Sequence, residues 1–263
     1  LELNRKILTA ANLSIGYHTK SHPNIIAQNL NLSLAQGQLV ALVGANGIGK
    51  STLLRTITGI QKPLSGTVLL NDKDIFSYGP LDLAKNLSLV LTEKLPPSSL
   101  TVFELIALGR QPYTNWLGKI SADDSDKINQ AIALTHIEHL VDKKHYEISD
   151  GQLQVVLIAR ALAQDTPLII LDEPTTHLDL LHKVSVFKLL KKLSQETNKC
   201  ILFSTHDIDM AIQLSDIMIV MTEDAVVQDQ PCNLISQGVF DIIFKDETLF
   251  FDREKGKFAF KNL

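Results

Sequence analysis

The chain has 263 residues, 45% hydrophobic and 21% charged, with a formal net charge of −4. That is ordinary globular composition, and the slight negative charge supplies no general attraction to nucleic acid or anionic lipid. The two cysteines, Cys200 and Cys232, lie far apart and outside any metal-ligand spacing, and no apolar run approaches the roughly 18 residues of a membrane span. Free thiols suit a reducing, cytoplasmic compartment, and Leu1-Glu2-Leu3-Asn4-Arg5-Lys6 carries no signal-peptide profile.

From Ile7 to Val43 the pattern favours strands. Leu13, Ile15 and Tyr17 alternate with smaller or polar residues, and Leu30, Leu32 and Leu34 alternate with Asn31 and Ser33. Gln36-Gly37-Gln38 predicts a turn into a buried strand, Leu39-Val40-Ala41-Leu42-Val43. Gly44-Ala45-Asn46-Gly47-Ile48-Gly49-Lys50-Ser51 follows, with Thr52 behind it, and fits the phosphate-cradling pattern G-x-x-x-x-G-K-[ST] between a strand and a helix. Glycines let successive backbone N–H groups face a β-phosphate, and the helix N-terminus adds its positive dipole. Lys50 would reach the β- and γ-phosphates and the Ser51 hydroxyl would ligate Mg²⁺. The loop predicts a nucleoside triphosphate site.

Lys62-Pro63-Leu64-Ser65-Gly66 breaks the chain, and short strands are expected over Gly66 to Leu70 and Leu87 to Leu91. The character then changes. Thr101 caps a helix with Leu105, Ile106 and Leu108 apolar behind it, and Ser121-Ala122-Asp123-Asp124 begins another with Ile128, Ile132, Leu134 and Ile137 on its apolar side. This helical insertion, about 93–165, includes the helix running on from Gly151 to before Pro167. Leu168 to Leu171 is a continuous apolar strand, as expected when both sheet faces are covered. Helix over Leu180 to Glu196, strand over Lys199 to Ser204, helix over Asp207 to Leu214 and strand over Asp216 to Met221 complete an alternation that predicts a mainly parallel sheet wrapped by helices. The extension, about 223–263, reads as a helix over Leu234 to Phe244 and a hairpin over Phe250 to Phe260 turning at Glu254-Lys255-Gly256-Lys257.

Asp172 ends the apolar strand and Glu173 follows, a Walker B pattern in which Asp172 would hold Mg²⁺ or its water shell and Glu173 would polarise the attacking water. One helix ahead, Ile148-Ser149-Asp150-Gly151-Gln152 resembles the L-S-G-G-Q signature of ATP-binding cassette (ABC) ATPases. The same residues also make an ordinary helix cap, and the two readings agree, because a helix N-terminus with a Ser hydroxyl and a Gly N–H grips a γ-phosphate. Asp150, in place of the signature's first Gly, resembles a variant found in metal-chelate importers. Thr175-Thr176-His177-Leu178-Asp179 resembles the D-loop, and His206, in Ser204-Thr205-His206-Asp207, resembles the switch histidine. Tyr17 matches the aromatic that stacks on adenine, or is a strand aromatic packed in the core. One element departs: where the family has a Gln before the helical insertion, this chain has Val90-Leu91-Thr92-Glu93, so Thr92, or Glu93 beside it, takes that place.

The resemblance implies an α/β fold: an ABC-type P-loop NTPase core with a mainly parallel sheet, an N-terminal antiparallel β subdomain and a helical subdomain insertion, one domain over 1–263. It implies ATP hydrolysis by Lys50, Glu173 and His206, with Mg²⁺ held by Ser51, Asp172 and Thr92. ATP would touch Tyr17, Asn46, Gly47, Gly49, Lys50, Ser51, Thr52, Ser149, Gly151, Gln152 and Asp179, with Ser149 and Gly151 supplied by the second copy of a head-to-tail homodimer. With one cassette and no span, the implied setting is the cytoplasmic face of the inner membrane. There two copies would serve two integral permease subunits fed by a solute-binding protein, with no nucleic acid. The segment Leu105 to Gly118 resembles the one in iron-siderophore, haem and vitamin B12 importers that receives a permease helix; packing on its own domain is the other reading. The competing functions are a soluble ABC ATPase acting on ribosome or DNA, a small-molecule kinase, and an ATP-bound clamp with little hydrolysis.

Overall fold

A computed structural model describes residues 5–18, 22–91, 98–115, 118–243, 248–253 and 255–260. The alternating N-terminal pattern forms two long antiparallel strands, β1 (Lys6–His18) and β2 (Pro23–Ala35), which bury Leu13, Ile15, Leu30, Leu32 and Leu34. Asn12 (φ 48) lies within the register shift between Ala10 and Leu13, where a left-handed residue lets the strand bulge and twist. The chain then enters β3 (Leu39–Gly44), buried throughout, and α1 (Lys50–Ile57). Next, β4 (Ser65–Leu70) and β5 (Lys73–Asp74) join the first two strands in an antiparallel sheet of order β2-β1-β4-β5.

The remaining elements are α2 (Pro80–Ala84), β6 (Leu87–Val90), α3 (Val102–Ala107), α4 (Ala122–Thr135), α5 (Asp150–Ala163), β7 (Leu168–Leu171), α6 (Leu180–Thr197), β8 (Cys200–Ser204), α7 (Ile208–Leu214), β9 (Ile217–Met221), β10 (Val226–Asp229), α8 (Pro231–Ser236) and a hairpin of β11 (Leu249–Asp252) and β12 (Lys257–Phe260). The second sheet has the order β10-β9-β3-β8-β7-β6 and is parallel except for β10 on its edge. Its strands are apolar on both faces because both are covered. Val40 and Leu42 join the core shared with the antiparallel sheet and α1, while Leu39, Ala41 and Val43 join the core under the helices. Cys200 is fully buried, and burial pushes its thiol up to about 12, so it is an inert core residue. Among the described residues no helix is long and apolar enough to cross a membrane.

Capping boxes start α3 (Thr101 with Glu104), α4 (Ser121 with Asp124) and α5 (Ser149 with Gln152). The three helices are pinned by one buried cation. Arg110 donates from Nε to Asp124 (2.8 Å) and from a terminal nitrogen to the Ala163 carbonyl (2.9 Å), and its guanidinium lies 4.0 Å from the Tyr113 ring centroid.

Three expectations shift. Leu108 is 46% exposed, because the chain tightens into a 3₁₀ turn there and swings it off the buried side. Helix α4 stops at Thr135, where His136 turns left-handed (φ 56), and Ile137 reaches the core from beyond the helix. The single helix expected over Leu234 to Phe244 is instead α8 and a 3₁₀ turn at Val239–Ile242, parted by Gly238 (φ 73). Phe244, Glu254, Trp116, Leu117 and residues 1–4 lie outside the described residues.

Candidate functional site

The phosphate-type loop leaves the C-terminal end of β3 and feeds α1. Gly47 (φ 79) and Gly49 (φ 111) take conformations that side chains rarely adopt, and a Cβ on Gly49 would stand 2.2 Å from Ile26 Cγ2. Glycine at 49 is therefore required twice, by the backbone and by the second strand pressing on it. Lys50, the first residue of α1, is buried and donates to the carbonyls of Gly44 (2.9 Å) and Ala45 (3.3 Å). Burial lowers its pKa, and the charges of Glu173 and Asp172 oppose that and favour the ammonium form. Ser51 is exposed in the first turn, and the Thr52 hydroxyl lies 3.0 Å from the Tyr17 hydroxyl. Tyr17 is 43% exposed, so its ring is available at the surface beside the loop rather than buried in the core.

The acidic half is set by strand register. β7 and β8 pair in parallel with Leu171 beside Phe203, which brings Ser204 alongside Asp172. The Ser204 hydroxyl donates to Asp172 Oδ1 (2.6 Å) and accepts the Glu173 backbone N–H (2.8 Å). Glu173 is left-handed (φ 46), a strained conformation for a side-chain residue and typical of functional positions. Its Oε2 accepts from the Thr176 hydroxyl (2.9 Å) and lies 3.6 Å from His206 Nδ1. Lys50, Ser51, Asp172, Glu173 and His206 thus gather at the C-terminal ends of β3, β7 and β8, where open parallel sheets place ligands.

Ser51 and Asp172 line one cleft of about 430 Å³ together with Leu54, Arg55, Thr58 and Leu89. A hydroxyl and a carboxylate are hard oxygen donors and suit Mg²⁺, which is normally held by one or two protein oxygens plus substrate phosphates. Thr92 and Glu93 lie outside the described residues. Asn46 and Gly47 line a different hollow, of about 320 Å³, whose far wall is Ile242 and Ile243 of the C-terminal extension.

The signature-like residues form a second group. Ser149 caps α5, exchanging bonds with Gln152 in both directions (3.0 and 3.3 Å). Asp179 caps α6 by accepting the His182 N–H at 2.9 Å. Gly151 is buried, and its neighbour is the His182 ring. Sequence reasoning missed Ser204, Thr176 and His182. Ser204 carried a signal, as the residue ending the strand two before His206, but its bond to Asp172 depends on which strands pair. Ser204→Ala is expected to lower the rate of phosphate release about tenfold with little change in nucleotide affinity, by loosening the Asp172 carboxylate and the Glu173 backbone; an unaltered rate would free the network from that role.

The sequence profile of the family described as ABC transporter matches residues 27–176. The achromobactin transport ATP-binding protein CbrD of Dickeya dadantii is 37% identical over 238 residues, covering 90% of this chain and 87% of CbrD. The iron(3+)-hydroxamate import ATP-binding protein FhuC of Bacillus subtilis is 36% identical over 222 residues, 84% of this chain and 81% of FhuC. Among solved structures, the dimeric cassette MJ0796 in a post-hydrolysis state bound to ADP and Pi superposes with a TM-score of 0.72 at 28% identity, covering 86% of this chain and 99% of that one.

Proposed function

The chain belongs to the ABC transporter family, and from that premise we propose that it is the ATP-hydrolysing subunit powering import of a metal chelate, of iron-siderophore, haem or cobalamin class, through a separate permease. The observation that carries the hydrolytic part is the convergence of Lys50, Asp172, Glu173 and His206 on one strand edge, with Ser204 and Thr176 fixing the carboxylates. The chelate class draws its support from the names of the relatives and from Asp150 in the signature.

In this reading Lys50 leaves the Gly44 and Ala45 carbonyls for the β- and γ-phosphates, and the loop's N–H groups cradle the β-phosphate. Mg²⁺, bound through Ser51 and Asp172, would neutralise charge on the phosphates. Glu173 orients and polarises the attacking water, and His206, sharing the Glu173 oxygen that Thr176 holds, steadies that carboxylate and approaches the γ-phosphate. Ser149 and Gly151 of a second copy close the other side, so hydrolysis needs both copies. The pair works peripherally at the cytoplasmic membrane face, against two permease subunits supplied by a solute-binding protein.

The test is to purify tagged Glu173→Gln from detergent-solubilised membranes with ATP and identify what accompanies it. A very hydrophobic polytopic subunit at matched stoichiometry is expected, and its binding protein can then be screened with haem, siderophores and cobalamin. Recovery of ribosomal or nucleic-acid partners without a membrane protein overturns the transport reading.

A further inference from the structure

The start of α6 does more than cap a helix. Asp179 Oδ1 accepts the His182 backbone N–H, and that bond is the N-cap bond of α6. Asp179 Oδ2 lies a further 2.8 Å from His182 Nδ1, which fixes the imidazole by one edge. The fixed ring lies on Gly151: a Cβ there would be 2.8 Å from His182 Cδ2, 3.3 Å from Cγ and 3.5 Å from Nε2. An unpinned histidine could swing aside from such a contact, but this one is held at Nδ1. The first turn of α5 and the turn entering α6, which the chain separates by the rest of α5 and the whole of β7, are therefore joined through a single side chain.

We propose that His182 is a positioning residue that locks the Asp179 turn to the first turn of α5, so that both surfaces meet the second copy of the chain as one unit. The inference rests on the reading that two copies enclose ATP. Exposure says where the lock acts. The side chains of His182 and Asp179 are 55% and 66% exposed, and a solvated polar contact of that kind contributes little to the stability of a single chain. Leu180 and Leu181 beside them are 66% and 78% exposed, large apolar side chains of the kind a contact surface covers. Covering this patch would remove water from the Asp179–His182 pair and strengthen it. The lock is thus weak in one chain and strong between two.

The experiment uses the full chain carrying Glu173→Gln, with ATP-driven dimer formation followed by sedimentation and the affinity for a fluorescent ATP analogue and the Tm measured alongside. The parent is expected to dimerise. Adding His182→Ala is expected to raise the dimer dissociation constant about tenfold, or about 1.4 kcal/mol, while leaving Tm and single-chain nucleotide affinity in place. His182→Asn, whose amide nitrogen can take the place of Nδ1 against Asp179, is expected to recover part of the loss. Gly151→Ala and His182→Ala are expected to be non-additive, because each breaks the same contact. Unweakened dimers in His182→Ala, or weakening matched by a fall in Tm, would overturn the lock. A parent that stays monomeric with ATP would sink the two-copy reading itself, and the lock with it.

Discussion

Glu173→Gln is expected to lower ATP turnover about a thousandfold, roughly 4 kcal/mol of barrier, while nucleotide binding persists. The amide keeps the size of the carboxylate and can still accept from the Thr176 hydroxyl at the position of Oε2. It cannot carry the negative charge proposed to draw a proton from the attacking water. Binding is expected to survive because the groups proposed to grip phosphates are elsewhere, in the Gly44 to Ser51 loop and the Lys50 ammonium. Losing the Glu173 charge also removes one of the two carboxylates that favour the ammonium form of Lys50 against burial, but Asp172 remains. Steady-state phosphate release beside equilibrium nucleotide binding separates the two effects. A variant that keeps more than about a tenth of its turnover would move the water-activating role to another residue.

Arg110→Ala is expected to cost about 3–5 kcal/mol of stability, the usual outcome when one partner of a buried ion pair is removed. In a chain of this size that lowers Tm by on the order of 10 °C. Arg110 is 3% exposed, and its loss takes the guanidinium donor from the buried Asp124 Oδ1 and from the Ala163 carbonyl and leaves a gap at the junction of α3, α4 and α5, while Ser121 still holds Asp124 Oδ2. Replacing Arg110 and Asp124 together by leucine should cost less than Arg110→Ala alone, because no charge is left unpaired. If the double variant proves the less stable, burial of a lone charge is not the cause.

Acid should act on the same junction in a defined direction. The Asp124 carboxyl is lowered from 3.8 to about 2, first by the Ser121 side chain, then by the Ser121 backbone N–H, with Arg110 contributing less. A lowered carboxylate contributes stability that is present above its unfolded pKa and lost as pH falls through its folded one, here from about pH 4 to about pH 2. Ser121→Ala should therefore flatten the acid limb of the Tm profile more than Arg110→Ala does, although it costs less stability at neutral pH. The reverse order would place the main cause in the salt bridge.

The loop between β3 and α1 was legible because its backbone geometry is local. Glycines at 47 and 49, a lysine and a serine within one loop and the first turn of α1 can be read from spacing alone. The caps at Thr101, Ser121 and Ser149 were legible for the same reason, since a capping box closes within four residues. So were the strands covered on both faces, whose apolar runs need no knowledge of their neighbours. The alternation of Val40 and Leu42 against Leu39, Ala41 and Val43 was present in the sequence as well, but not which core each would enter. That depended on the antiparallel sheet and the helical layer arriving on opposite sides. Only parallel register brought Ser204 to Asp172 and Glu173, across 32 and 31 positions of chain. Only the packing of α6 against α5 laid His182 on Gly151, and only the junction of three helices buried Arg110 beside Asp124. Local backbone geometry and hydrophobic periodicity act over a few residues and are written in order along the chain. Side-chain contacts between distant elements are chosen by how the layers pack, and no spacing in the sequence encodes them.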